Sequence, residues 1–408
     1  MVIHGDVAFM IISTVLVLLM TPGLAFFYGG LVERKNSLAM MFQSFIAIGI
    51  VPILWIFGGY SLVFGNDIYG VIGNPAQFFA FRNFPVLITE LYDNTIPILL
   101  FFMYQMMFAI ITAPLMTGAF ANRLSPMGWI KILIVWMILI YFPVAHWVWG
   151  GGFLAKLGFV DYAGGAVIHI TAGFGCISGV LFLGPPATKQ TTLPFHLGFV
   201  ALGTAFLLVG WFGFNAGGAL AAANTAAIVF ANTGIAASSA VIVWLILHYI
   251  FHKRLSFLEI PVGLVAGLAT ITPCSGYVTP LSAFFVGIIG AFLCYFCVIL
   301  ERKKISDTLD VWGVHGMGGF IGTLLVGLLA NPLINGVSAG LRQFLIQLFG
   351  CVLIAIYSLA VTYAIFYLVD KTKSIRVSAE IQESGLDDYY FKECFTDYCG
   401  RNNEHSHK

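Results

Sequence analysis

The sequence predicts an all-α integral membrane protein of eleven transmembrane helices, built as an inverted five-helix repeat, with its N-terminus outside and its C-terminus cytoplasmic. Three observations lead there. The 408-residue chain is 60% hydrophobic and only 9% charged, whereas a soluble domain carries about 25% charged residues. Apolar runs long enough to cross a bilayer recur along its length. Two histidines, His169 and His315, lie inside such runs, in DYAGGAVIHITAGFG (161–175) and DVWGVHGMGGF (310–320). The composition excludes a water-soluble enzyme and places the chain in a lipid bilayer as a multi-pass protein of the cell membrane. A net charge of +1 leaves no basic footprint for nucleic acid. The 45 glycines suit membrane helices packed closely through small residues.

A spanning helix needs about 20 mostly apolar residues. Eleven runs meet that requirement, roughly 7–31, 38–64, 95–119, 129–148, 161–184, 196–217, 224–250, 258–277, 280–300, 312–330 and 342–369. The N-terminal MVIHGD lacks a basic region and the run after it continues to Leu31, too long for the core of a secretory leader, so it is read as the first helix. ERK (33–35) separates it from the second. The longest outer loop, 65–94, carries Asp67, Arg82, Glu90 and Asp93. The third helix ends before Arg123. The fourth closes on HWVWGGG and the fifth opens at Asp161, ending ahead of Lys189. The sixth closes on WFGFNAGG, the seventh on HKR (252–254), and the ninth on ERKK (301–304). The tenth opens after Asp310, and KTKSIR (371–376) follows the eleventh. Basic residues thus mark alternate connections, and the basic side of a membrane protein is the cytoplasmic one.

The halves resemble each other. PGLAFFYGGL ends helix one and WFGFNAGGAL ends helix six; Asp161 with His169 opens helix five and Asp310 with His315 opens helix ten. Each match is five helices apart, an odd number, so the halves run oppositely through the bilayer, as in transporters with a midplane substrate site. The chain accordingly divides into an eleven-helix domain, 1–370, and a cytoplasmic tail, 371–408. Repeat one covers about 7–184, repeat two about 196–330, and a closing helix about 342–369. The charged, Tyr-rich tail cannot span, and is expected to be ordered against a partner.

An ionisable residue within the membrane marks a functional site unless a partner accounts for it. His169 either links two helices by a hydrogen bond or joins His315, in which case one imidazole N–H donates to the other's bare nitrogen and the neutral pair can pass a proton. Asp161 is expected to accept orphan amides at a helix start and to lend negative potential to the outer mouth. It stands eight residues before His169, about 12 Å of helix rise, and so cannot bond it directly. Asp310 is expected to cap helix ten or form a salt bridge. Trp149 is either a belt anchor at the interface or, with Phe108 near it, a π face for a cation. Phe214 stands out beside them. Cys294 and Cys297 have CxxC spacing but no second pair, so no metal is expected. Cys394 and Cys399 read as free cytosolic thiols. No Walker A loop, G-x-S-x-G or H-E-x-x-H occurs; neither an enzyme nor a cofactor is expected.

GLAFFYGGLVERKNSL, VAHWVWGGG with DYAGGAVIHI, WFGFNAG, AGLATITPCSGYV and DVWGVHGMGG together resemble the ammonium transporter family, Amt/Mep, relatives of the Rhesus glycoproteins. The likeness runs from residue 7 to about 387. It implies a homotrimer of eleven-helix subunits, each with its own narrow pore for ammonium or methylammonium. It implies an outer substrate-binding site at Phe108, Trp149, Asp161 and Gly218, a gate of Phe108 and Phe214, and a twin-His pore of His169 and His315. It also implies a PII-type regulatory protein at the cytoplasmic face and tail. Trp149 places the chain in the Amt/Mep branch. Gly218 stands where many members have Ser, Val262 where Asn is frequent, and Glu259, Pro261 and the final tail residues are atypical. Two other readings stay open: an ammonium sensor of the same fold with little transport, and a Rhesus-like neutral gas channel.

Overall fold

The computed structural model describes residues 2–84, 95–187, 194–393 and 395. Glu90, Asp93, Lys189, Cys394 and Cys399 lie outside the described residues. Apolar helices follow in chain order at the expected places: α1 (His4–Leu31), α2 (Arg34–Phe64), α3 (Ile98–Phe120), α4 (Pro126–Leu157), α5 (Gly165–Leu183), α6 (Leu197–Ala219), α7 (Asn224–His252), α8 (Glu259–Ile271), α9 (Pro280–Lys304), α10 (Trp312–Leu329) and α11 (Leu341–Thr372). All but α8 are long and apolar enough to cross a membrane, ten among the described residues.

The run expected over 258–277 is therefore helical over only 13 residues. TPCSGY (272–277) leaves the helix because Pro273 cannot continue the amide ladder. Those residues stay buried as turns. Asn232 of α7 donates its side-chain amide to the carbonyls of Ser275 and Val278, at 2.8 and 2.7 Å, which satisfies backbone that would otherwise be unpaired.

Two close helix pairs organise the interior. α1 and α6 meet through glycines: a Cβ on Gly23 would stand 2.9 Å from that of Phe206, and one on Gly203 would overlap the backbone of Phe27. α5 and α10 meet the same way, since a Cβ on Gly173 would overlap Gly316, and one on Gly319 the carbonyl of Gly165. Without side chains at these points the backbones approach closely. α5 and α10 also share a second device. Each opens with a π-helical turn, Gly165–Ile170 and Trp312–Gly316, and continues as 13 residues of α-helix. Wide turns of this kind recur at functional sites, and each of these carries one of the two histidines.

On one face a short hairpin, β1 (Asp67–Ile68) with β2 (Ile72–Gly73), is tied to the helices through Asp67. Its carboxylate meets His146 Nε2 at 2.9 Å and Lys156 Nζ. The hydrogen bonds from His146 and then Lys156 lower its pKa to about 2.

The basic connections share the opposite face with the tail. Arg123 donates to the carbonyls of Gly184 and Ser306, both at 2.7 Å, and Arg376 to that of Phe182 at 2.5 Å. The described part of the tail, 371–393, packs against the helical body itself. α12 (Ala379–Ser384) and α13 (Leu386–Phe391) dock on the start of α2, where Asp387 accepts the amides of Leu38 and Ala39 at 2.9 and 2.8 Å. Asn36 takes the amide of Leu386 at 2.9 Å and Lys35 donates to the carbonyl of Glu383 at 2.6 Å. A buried patch of Ala39, Val377 and Leu386 completes the contact.

Burial raises the Asp387 carboxyl to about 6, against the pull of the Ala39, Leu38 and Ser37 amides. Docking therefore favours the protonated form. It is strongest below the free value near 4 and weakens as pH rises through 6. Hydrogen exchange should show about tenfold more protection of the α12–α13 amides at pH 5 than at pH 7 after correction for intrinsic rates. Asp387→Asn should abolish that difference; a pH-independent wild type would show that Asp387 does not govern docking.

Candidate functional site

Three chambers follow one another through the molecule. The one on the hairpin's side, called outer for the expected orientation, is about 410 Å³ and is lined by Phe108, Trp149, Asp161, Tyr162, Gly218 and Tyr277. The middle one is a narrow apolar cavity of about 10 Å³ beside His169, His315, Trp211, Phe214, Phe27 and Val265. The inner one, about 500 Å³, opens beyond His315 and is shared with Phe27 and Val265. A space of about 10 Å³ holds one water-sized guest.

Phe108 and Phe214 divide the outer chamber from the middle one. Their rings stack at 4.4 Å between centroids and 29° between planes, and both are buried. Trp149 stands edge-on to Phe108 at 6.0 Å. Its indole N–H is spent on the Asp161 carbonyl at 2.9 Å, which fixes the ring at the mouth. Tyr104, one turn before Phe108, donates to the carbonyl of Phe214 at 2.9 Å and so links α3 to α6 behind the stacked pair.

Asp161 is buried, and both of its oxygens are occupied. One accepts the amides of Gly164 and Gly165 at 2.9 and 2.7 Å, the other those of Ala166 and Val167 at 2.7 and 3.1 Å. Burial pushes this carboxyl up from its ordinary range and the four amides oppose it. With N–H donors on both oxygens, the geometry is that of the ionised form. Asp161 thus caps the π turn that carries His169, the amide-accepting role expected at a helix start, and also lines the chamber in front of Phe108.

Of the two arrangements open to His169, the fold has the pair with His315. Their Nδ1 atoms lie 3.2 Å apart, and the rings are nearly parallel, 19° between planes. One Nδ1 must carry the shared hydrogen and the other must accept it. His169 Nε2 has no hydrogen-bond partner among the described residues, and the ring borders the cavity. Trp211 stacks on His169 at 5.5 Å and 17°. Its indole N–H donates to Thr272 at 2.8 Å, Thr272 bonds Asn215 at 3.2 Å, and Asn215 bonds Thr233 at 3.1 Å. A buried polar chain from α6, α7 and the α8 turn therefore sets the wall behind the imidazole.

Asp310 forms the salt bridge rather than the cap, with Arg302 Nε and Nη2 at 2.8 and 2.5 Å from its two oxygens. The carboxylate that matches Asp161 is Asp307, which accepts the amide of Trp312 at 2.9 Å, while Glu301 accepts that of Gly313 at 2.9 Å. Asp307 stands eight residues before His315, the same spacing as Asp161 to His169. That equal spacing was the available signal. Trp211 could have been found from Phe214, since positions three apart share a helix face. Tyr162 also emerges: a Cβ on Gly218 would lie 3.0 Å from its ring, so Tyr162 fills the space beside that glycine.

The model of the Ammonium Transporter Family matches residues 8–395. This chain belongs to that family. It is 42% identical over 393 residues to a putative ammonium transporter of Methanothermobacter thermautotrophicus, covering 94% of this chain and 96% of the relative. The crystal structure of Candida albicans Mep2 superposes with a TM-score of 0.85 at 31% identity, covering 93% of this chain and 87% of that one. A solved structure called Sensor Amt Protein matches with a TM-score of 0.87 at 30% identity, over 95% and 98% of the two chains. Membership in the ammonium transporter family makes the chain a multi-pass membrane protein of transport rather than an enzyme.

Proposed function

We propose that the chain moves ammonium across the membrane as ammonia, with the proton left outside or transferred separately, through a twin-His pore within each subunit. The observation that carries this reading is the His169–His315 contact at 3.2 Å in an apolar cavity just beyond the stacked Phe108 and Phe214. Ammonium binds in the outer chamber against Trp149 and Phe108, beside Gly218. It sheds its proton there, passes the ring pair when Phe108 and Phe214 part, and crosses beside the imidazoles.

The energetics favour that order. Taking a bare ammonium ion into a dry pore costs, in the idealised limit, about 20 kcal/mol. Removing its proton near neutral pH costs only about 3 kcal/mol, at ~1.4 kcal/mol per pKa unit. Potassium has no proton to shed and meets the full barrier. The neutral His pair shares one hydrogen between its Nδ1 atoms. It therefore offers one Nε2 as acceptor and the other as donor, matching ammonia, which does both.

The capped π turns at matching positions, with α1 against α6 and α5 against α10, support the inverted repeat. In a two-fold arrangement the helices nearest the axis pair with their own counterparts. The eleven-helix topology with the basic face inward, the boundaries at 1–370 and 371–408, the homotrimer and a PII-type partner at that face belong to the same proposal.

Methylammonium uptake with simultaneous current in proteoliposomes tests the function. No uptake by the wild-type protein overturns it. Trp149→Leu is expected to raise KM about fivefold with a smaller change in the maximal rate, since a cation–π contact is worth about 0.5–2 kcal/mol. A KM unaffected by that change would place recruitment elsewhere. A second reading, an ammonium-binding sensor with little transport, is favoured by the likeness to Sensor Amt Protein. Binding by the purified protein without uptake in transport-deficient cells would select it.

A further inference from the structure

The inner chamber carries a cluster that the pore does not account for. His248 of α7 is buried, and its Nδ1 faces Glu259 Oε1 of α8 at 3.4 Å. The other Glu259 oxygen accepts the Trp244 indole N–H at 2.7 Å. The carboxylate is therefore held from both sides and orients the imidazole. With the Nδ1 hydrogen directed at Glu259, the neutral ring presents Nε2 as a bare acceptor. Among the described residues that buried Nε2 has no hydrogen-bond partner, nor has the Tyr295 hydroxyl, whose ring lies edge-on to Trp244 at 5.2 Å. Two unpaired polar atoms in one buried cluster are costly, because each has given up its water without a replacement. His248, Glu259 and His315 line the same chamber of about 500 Å³.

We propose that His248, oriented by Glu259, is a second ammonium site on the product side, reached after the twin-His cavity. His248 in its imidazolium form donates its Nε2 proton to arriving ammonia. The new N–H bond forms as the Nε2–H bond breaks, ammonium is left hydrogen-bonded to neutral Nε2, and after the ion leaves, a hydronium ion from the chamber's bulk-connected water returns a proton to Nε2 and becomes water. The ion has N–H donors for the bare nitrogen, and a nearby carboxylate, Glu259, balances its charge. Arg302 is engaged bidentately by Asp310, His252 stacks on His248 at 4.3 Å, and Arg254 and Tyr295 complete the set facing it. The assignment rests on the transport reading for the direction of arrival, but the binding site stands on its own geometry.

The test uses the full-length protein in lipid nanodiscs with ¹⁵N-labelled histidine. Titration with ammonium chloride should move one side-chain signal saturably, and that signal should be missing in His248→Gln. Potassium chloride at equal ionic strength should leave it in place. Glu259→Gln keeps the Trp244 hydrogen bond and should raise the apparent Kd at least fivefold. The response should persist in the His169→Ala/His315→Ala double variant. A silent His248, or an equal response to potassium, overturns the site. Uptake measured on the same wild-type preparation separates the readings: uptake with a silent His248 defeats the site alone, and binding at His248 without uptake defeats transport alone.

Discussion

Asp161→Ala is expected to abolish methylammonium uptake, by at least a hundredfold, and to lower the thermal stability of the detergent-solubilised protein. The carboxylate is the shared partner of four consecutive amides, Gly164 to Val167. Hydrogen bonds to a charged group contribute about 1.5–3 kcal/mol each, and a buried amide left unpaired carries its full desolvation penalty. Even with strong non-additivity the loss exceeds ~4 kcal/mol, enough to undo the π turn that places His169. Asp161→Asn is expected to be nearly as damaging. It keeps one oxygen for two amides but turns an NH₂ donor toward the other two. Asp307→Ala should be milder, because Glu301 shares that cap. Thermal unfolding followed by tryptophan fluorescence, paired with uptake, separates capping from contact with the ion. An Asp161→Ala protein of unchanged stability that loses only apparent affinity would make the residue a ligand after all.

The membrane character and the placement of the spans were legible in the sequence because hydrocarbon imposes a length and a composition on any helix that crosses it. So was the meeting of His169 with His315: two imidazoles in matching apolar contexts have few other ways to be satisfied. What stayed hidden depended on local backbone shape. The shortened α8 follows from Pro273 and from where Asn232 reaches, a tertiary contact at 43 residues' separation. Asp307 was passed over for Asp310 because a π turn changes which residue's carboxylate reaches the free amides. Gly218 stands where many family members have Ser, and its closeness to the Tyr162 ring, 3.0 Å from where a Cβ would lie, is a tertiary contact that the sequence does not disclose. The described part of the tail, polar enough to suggest ordering against a partner, is held by backbone carbonyls and amides of the helical body, which composition does not disclose.

His169→Ala and His315→Ala are each expected to cut methylammonium uptake at least tenfold and to admit potassium as a competitor. Removing either ring leaves the other Nδ1 without its partner at 3.2 Å and widens a cavity of about 10 Å³ by the volume of an imidazole. Water entering that space hydrates a passing ion, which lowers the barrier that had favoured deprotonation. Selectivity should therefore fall together with rate. A merely structural pair would instead lose stability while keeping its discrimination against potassium. Because the two rings share one hydrogen, they act as a unit. The double variant should be little worse than the poorer single one, whereas independent residues would multiply their losses. The same proteoliposomes decide the fate of the proton. If it travels through the pair, a wild-type current proportional to uptake should vanish in either single variant. If it stays outside, uptake should proceed with no current at all. Full rate and full selectivity in both single variants would falsify the twin-His pore.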